Sequence, residues 1–204
     1  MSWIQTSQGI EFNVEHPRPE KITAMDIAWG LSQINRFTGH CLRPYSVAEH
    51  SLLVTEIAER EFGLDVHGLL GAHMHDAHEA YTGDMHTPGK RAIGNAWHIW
   101  EASWEHPLRT AFAMHAPAAL YSEEIRLADR MALAIERKCL LPPGRPWPVL
   151  QGIEIVDWVH LYSPERRAMN WEDWRDRFLD KLHELDFARK EDLFTPINLP
   201  DQEP

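Results

Sequence analysis

The chain has 204 residues, 44% hydrophobic and 25% charged, an ordinary globular composition that favours one domain over two. Its 20 basic residues against 31 acidic ones leave a formal charge of -11 with no basic run to offset it, which argues against a nucleic-acid partner. Cys41 and Cys139 cannot make a disulfide framework, and no segment has the form of a signal peptide or the ~18 apolar residues of a membrane span, so a cytoplasmic protein without a membrane partner is expected.

Residues 1–20 alternate weakly around Thr6-Ser7-Gln8-Gly9 and end in Pro17 and Pro19, the pattern of a short hairpin followed by an extended arm. Thr23 then starts a helix through Ile34, before Gly39 and Pro44 break the chain. Ser46-x-x-Glu49 has the form of a capping box and opens a helix from Val47 to about Phe62, stopped by Gly63. Asp65 caps a third helix that should run to Tyr81-Thr82-Gly83. The Trp-rich stretch from Lys90 to Ala113 reads as a helix interrupted by Pro107. Ser122 to Leu141 is strongly amphipathic and ends in a proline-rich connector, Pro142-Pro143-Gly144-Arg145-Pro146-Trp147-Pro148. Ser163 followed by Pro164 opens a last helix to about Phe187. The expectation is an all-α single domain over residues 1–190, with a short N-terminal β-hairpin and a polar C-terminal tail over 191–204.

Thirteen histidines, five of them (His67, His73, His75, His78 and His86) within twenty residues, point to a metal. At 100° per residue His50 shares its helix face with Val47, Leu53, Val54 and Ile57, so its imidazole faces the core. His75, Asp76 and Glu79 would share one arc of the third helix. Asp129 shares a face with Ile125, Leu133 and Leu140, where a carboxylate is costly unless paired or metal-bound. Convergence of His50, His75, Asp76 and Asp129 on one divalent cation explains all of them, and their mixed nitrogen and oxygen donors suit Zn, Mn, Fe, Co or Ni better than Ca. His73, His78 and His86 read as surface or supporting residues, and Trp97, Trp100, Trp104, Trp171 and Trp174 as core or subunit contacts.

His50, then the doublet His75-Asp76, then Asp129 resembles the H…HD…D signature of the HD-domain metal-dependent phosphohydrolases. Around it, Val47-Ala48-Glu49-His50-Ser51 and the run from His75 through Gly83-Asp84 to Thr87-Pro88-Gly89-Lys90 are similar to the bacterial 5′-deoxynucleotidases and the phage dATP triphosphohydrolases, over roughly Asp26 to Cys139. The resemblance implies an HD-domain helical bundle, commonly a homo-oligomer, that hydrolyses 2′-deoxynucleotides between the 5′ oxygen and the α-phosphorus. It makes His50, His75, Asp76 and Asp129 the metal ligands. Glu79 and Asp84 become the acidic groups that handle the attacking water, protonate the leaving oxygen or hold a second ion. Arg36 and Phe37 match an Arg-aromatic pair that clamps phosphate and stacks on the nucleoside, with Phe37 where tryptophan is usual, and Lys90 or Arg91 would add positive charge for phosphate. Two other readings are a non-catalytic metal- or nucleotide-binding helical module and an HD hydrolase of a signalling nucleotide.

Overall fold

The computed structural model describes residues 2–114 and 121–194. They are mostly helical, with a two-stranded sheet at the start. β1 (Trp3–Gln5) pairs antiparallel with β2 (Glu11–Asn13), Ile4 opposite Phe12, across a loop in which Gly9 takes a left-handed conformation. Only one face of the hairpin is buried. Phe12 stacks on Tyr81 at 4.7 Å and on Trp104 at 5.5 Å between ring centres, anchoring the hairpin to two helices.

Nine helices follow among the described residues: α1 (Ala24–Gln33), α2 (Val47–Phe62), α3 (Val66–His73), α4 (Glu79–Thr82), α5 (Thr87–Ile93), α6 (Asn95–Ala111), α7 (Ser122–Leu140), α8 (Pro164–Ala168) and α9 (Trp171–Phe194). Their starts follow the caps. The hydroxyl of Thr23 accepts from the Asp26 N–H, that of Ser46 from the Glu49 N–H, and the Asp65 carboxylate from the N–H groups of His67 and Gly68. Gly63 ends α2 in the left-handed conformation that a β-carbon disfavours. α2 is the central element, packed on α1, α3, α7 and α9, with Leu53, Val54, Ile57 and Ala58 fully buried.

Four boundaries differ from the sequence expectation. The third helix stops at His73, and residues 74–78 form turns before α4 resumes. The Trp-rich stretch breaks at Gly94, whose φ of 74° lies outside the helical region, and α6 continues through Pro107. The last helix is two: Ser163 and Pro164 open only the short α8, and α9 begins at Trp171. α9 also runs past Phe187 to Phe194, so residues 191–194 of the expected tail are helical, while 195–204 lie outside the described residues.

Candidate metal centre

Two of the expected ligands sit where the chain turns. After α3, the backbone N–H of Ala77 bonds to the Met74 carbonyl and that of Glu79 to the Asp76 carbonyl, a tight-turn pattern in place of the helical one. His75 Nδ1 takes the Ala72 carbonyl at 2.7 Å, so a side chain competes for an acceptor of the last helical turn. The helical arc expected for His75, Asp76 and Glu79 is therefore replaced by a turn, which still aims the first two at the same point.

His50, held by α2, is fully buried, and its Nε2 lies 3.3 Å from His75 Nε2. Asp76 Oδ2 is 3.2 Å from His75 Nε2 and 3.6 Å from His50 Nε2. Ligand atoms of these three residues all lie within 4.8 Å of one another, a group that could hold a metal ion. The spacing is informative, because two nitrogens or oxygens at ~2.0–2.2 Å from one tetrahedral ion stand about 3.4 Å apart. The donor chemistry fits as well: each imidazole is engaged at Nδ1, which leaves Nε2 as the atom that could ligate an ion. Asp129, from α7, joins through His50, its Oδ1 3.2 Å from Nε2, with a side chain 40% exposed.

The charges are set by these neighbours. Burial pushes the Asp76 carboxyl up, but the His75 charge and hydrogen bond, with His50 and Arg36, outweigh it and hold its pKa well below the usual range. Burial and the Arg36 charge pull His50 down, whereas Glu136 and Asp129 pull it up further, to about 9. A cation entering here competes with protons for the same nitrogen atoms.

Three acidic and basic groups line the surroundings. Glu79, at the start of α4, is buried with Oε2 lacking a hydrogen-bond partner among the described residues. Burial first, then the charges of Asp76 and Asp84, push its pKa up to about 10, against the opposing pull of Arg36 and Lys90. Asp84 is also raised, by burial and by Asp76. Lys90 Nζ lies 4.0 Å from Glu79 and 2.5 Å from Glu101, which also takes His78 Nε2 at 3.1 Å. Arg91, the next residue of α5, is exposed, and no ion pair joins it to the cluster among the described residues.

Arg36 reaches the cluster from the loop between α1 and α2. The loop is pinched at its base, where the Arg36 N–H bonds to the Tyr45 carbonyl and the Val47 N–H to the Ile34 carbonyl. Within it Phe37, Thr38 and Gly39 all have positive φ, a costly conformation for the first two and above all for β-branched Thr38. This turn sends Arg36 inward, its Nη1 3.6 Å from Asp76, and leaves the Phe37 ring 5.6 Å from the guanidinium and 6.2 Å from Trp147.

Sequence reasoning missed Glu136. It is fully buried on α7 and accepts from His50 Nδ1 at 2.6 Å, from the Tyr45 hydroxyl at 3.0 Å and from Arg36 Nε and Nη2 at 3.3 and 3.2 Å. A signal existed: Glu136 lies seven residues, two helical turns, after Asp129, and so on the same face. The remaining histidines have other work. His73 is a core residue, not a surface one, stacked on Phe178 with Nε2 on the Phe178 carbonyl at 3.0 Å, and burial drives its pKa down to about 3. His86 caps α5 by accepting from the Gly89 N–H. Trp97, Trp104 and Trp174 are buried, as expected of core residues.

No family model matches the chain. It is similar to the uncharacterized protein YfdR of Escherichia coli (strain K12), 36% identical over 162 residues that span 79% of this chain and 85% of that protein. It is also similar to an uncharacterized protein of Rhodobacter capsulatus, 32% identical over 161 residues that span 78% and 68% of the two chains.

Proposed function

We propose that this chain, which belongs to the family of the Escherichia coli protein YfdR, is a metal-dependent phosphohydrolase of the HD-domain type that acts on 2′-deoxynucleotides. The observation that carries this reading is the convergence of His50, His75 and Asp76 beside an inward arginine and a buried, proton-holding glutamate. A small divalent transition ion, when bound there with Asp129 as a further ligand, would polarise a phosphoryl oxygen and acidify water. A second ion beside Glu79 and Asp84 belongs to the same proposal.

The chain's own groups supply the rest. Arg36 is tethered through Nε and Nη2 to Glu136, which leaves Nη1 facing the cluster, where it can bind a phosphate oxygen. Glu79, with a pKa near 10, carries a proton at neutral pH. It is suited to give that proton to the 5′ oxygen as the bond to phosphorus breaks and water adds to phosphorus, so that deoxynucleoside and the phosphate fragment leave. Lys90, held by Glu101 at 4.0 Å from Glu79, adds positive charge at the same edge. The Phe37 ring, beside the arginine, would contact the nucleoside and leave no room or partner for a 2′ hydroxyl. A purely binding module has no need of a buried, proton-holding glutamic acid beside the cluster, and this favours an enzyme.

The test is to incubate the purified protein with each deoxynucleoside and ribonucleoside mono-, di- and triphosphate in Co, Mn or Zn and to identify the phosphate species released. Deoxynucleotides should be hydrolysed faster than their ribose counterparts, by roughly 5- to 150-fold, and Asp76→Ala should lose bound metal and activity together. Equal hydrolysis of both sugars would overturn the substrate class. Full metal content and normal turnover in Asp76→Ala would overturn the site.

A further inference from the structure

His50 is held between two carboxylates of one helix. α7 puts Asp129 against its Nε2, at 3.2 Å, and Glu136 against its Nδ1, at 2.6 Å, two turns further on. From these contacts we infer that Glu136 is the positioning residue of the site, a single buried carboxylate that fixes which nitrogen of His50 meets the metal and anchors the Arg36 clamp. The inference rests on the metal-site part of the function proposed above and adds a residue that neither the signature motif nor the ligand set contains.

The reason lies in acceptor counting. The two oxygens of Glu136 meet four donors: Oε1 accepts from His50 Nδ1–H and the Tyr45 hydroxyl, and Oε2 from Arg36 Nε–H and Nη2–H. A carboxylate only accepts, so the imidazole keeps a hydrogen on Nδ1 opposite Glu136, and Nε2, which faces Asp129 and Asp76, is the nitrogen left for a metal. His75 reaches the same state by a different route, since its Nδ1 faces the Ala72 carbonyl, which likewise can only accept. Both Nε2 atoms therefore point at one place, 3.3 Å apart. Arg36 is drawn in by the same group. Two of its N–H directions are used on Oε2, and the guanidinium cannot swing away from Asp76 without giving up both bonds. Metal affinity and phosphate binding should thus be coupled through one side chain that touches neither metal nor substrate.

An amide cannot reproduce this. Glu136→Gln has one acceptor oxygen, and whichever way it lies, its N–H₂ group confronts either Arg36 or the His50 and Tyr45 pair. If the amide nitrogen faces His50, the ring must move its hydrogen to Nε2, where it blocks the ligand position. If it faces Arg36, the clamp loses its anchor. Metal binding is measured by titration calorimetry with Zn, with folding checked by circular dichroism. The expected result for Glu136→Gln is the loss of one function: a roughly 10- to 100-fold weaker metal affinity where the amide nitrogen faces His50, or a raised KM for the deoxynucleotide where it faces Arg36. Glu136→Asp, which keeps two accepting oxygens, should recover part of whichever is lost. Tyr45→Phe removes a donor to Oε1 without touching the ring hydrogen and should stay within about threefold of the unmodified protein.

Should the glutamine variant fail to fold, the unmodified protein decides the matter. Long-range proton–nitrogen spectra of its zinc-loaded form should find His50 protonated at Nδ1 and metal-bound at Nε2, and the reverse assignment would overturn the inference. Equal Zn affinity together with an equal KM in the folded glutamine variant and the unmodified protein would also overturn it, while leaving the proposed function standing. Failure of the unmodified protein to bind any divalent ion would instead remove the metal reading and this inference with it.

Discussion

Glu79 carries the sharpest expectation at the scale of a single residue. Its carboxyl is buried and its pKa is pushed up to about 10, chiefly by burial and then by the neighbouring Asp76 and Asp84 charges, so the protonated form is the resting one at neutral pH. Glutamine is a close copy of that neutral acid in shape and still donates a hydrogen bond, but it cannot release a proton. Glu79→Gln should therefore keep the fold and the metal and lose turnover by about 10²- to 10⁴-fold. Metal analysis alongside single-turnover rates checks this; activity within about threefold of normal would make Glu79 a supporting residue only. Most site residues were visible as types in the sequence, since histidines and carboxylates on apolar stripes need a reason to be there. Glu136 was not, although it shares the face of Asp129, because its role depends on meeting His50 and Arg36 from distant segments.

Gly30 shows the same division at the level of elements. It sits in the middle of α1, where glycine weakens a helix, and the reason is close approach. A β-carbon on Gly30 would come within 2.9 Å of the Ala80 carbonyl oxygen and 3.0 Å of its α-carbon, and backbone atoms cannot move aside as a flexible side chain would. α1 thereby packs directly on α4, the short helix that begins with Glu79. Gly30→Ala should destabilise the protein by about 1–3 kcal/mol, despite alanine's higher helix propensity, and should lower turnover by displacing Glu79. Urea denaturation and rate measurements on the variant test both parts, and unchanged stability would mean that α4 tolerates the shift. The sequence predicts one helix from Asp65 to Thr82, since nothing in residues 74–78 is a glycine or proline. The break comes instead from His75, whose side chain takes the Ala72 carbonyl.

Across the whole molecule, a buried ion-pair cluster ties the connector after α7 to the start of α2. Glu49 is fully buried; both its oxygens take Arg43, at 2.7 Å each, and Oε1 also takes Arg166 of α8 at 3.0 Å. Arg43 in turn donates to the Leu161 carbonyl. Glu49→Ala strands two guanidinium groups in partly buried positions and should cost about 3–5 kcal/mol, whereas replacing Glu49 and Arg43 together by leucine and methionine should cost markedly less. Thermal melts of the single and double variants distinguish the two, and a double variant as unstable as the single would refute the account. Among the described residues no helix is long and apolar enough to cross a membrane. The sequence alone determined where α1, α2 and α7 lie and which residue types gather at the site, because caps and apolar periodicity act between residues within a few positions of one another. Tertiary structure alone decided that the turn with His75 and Asp76 and the loop with Arg36 meet His50 at one point, and that Glu136 anchors them. Those depend on contacts such as Glu136 with His50 and with Arg36, 86 and 100 positions apart, which the folded chain makes and no local pattern encodes.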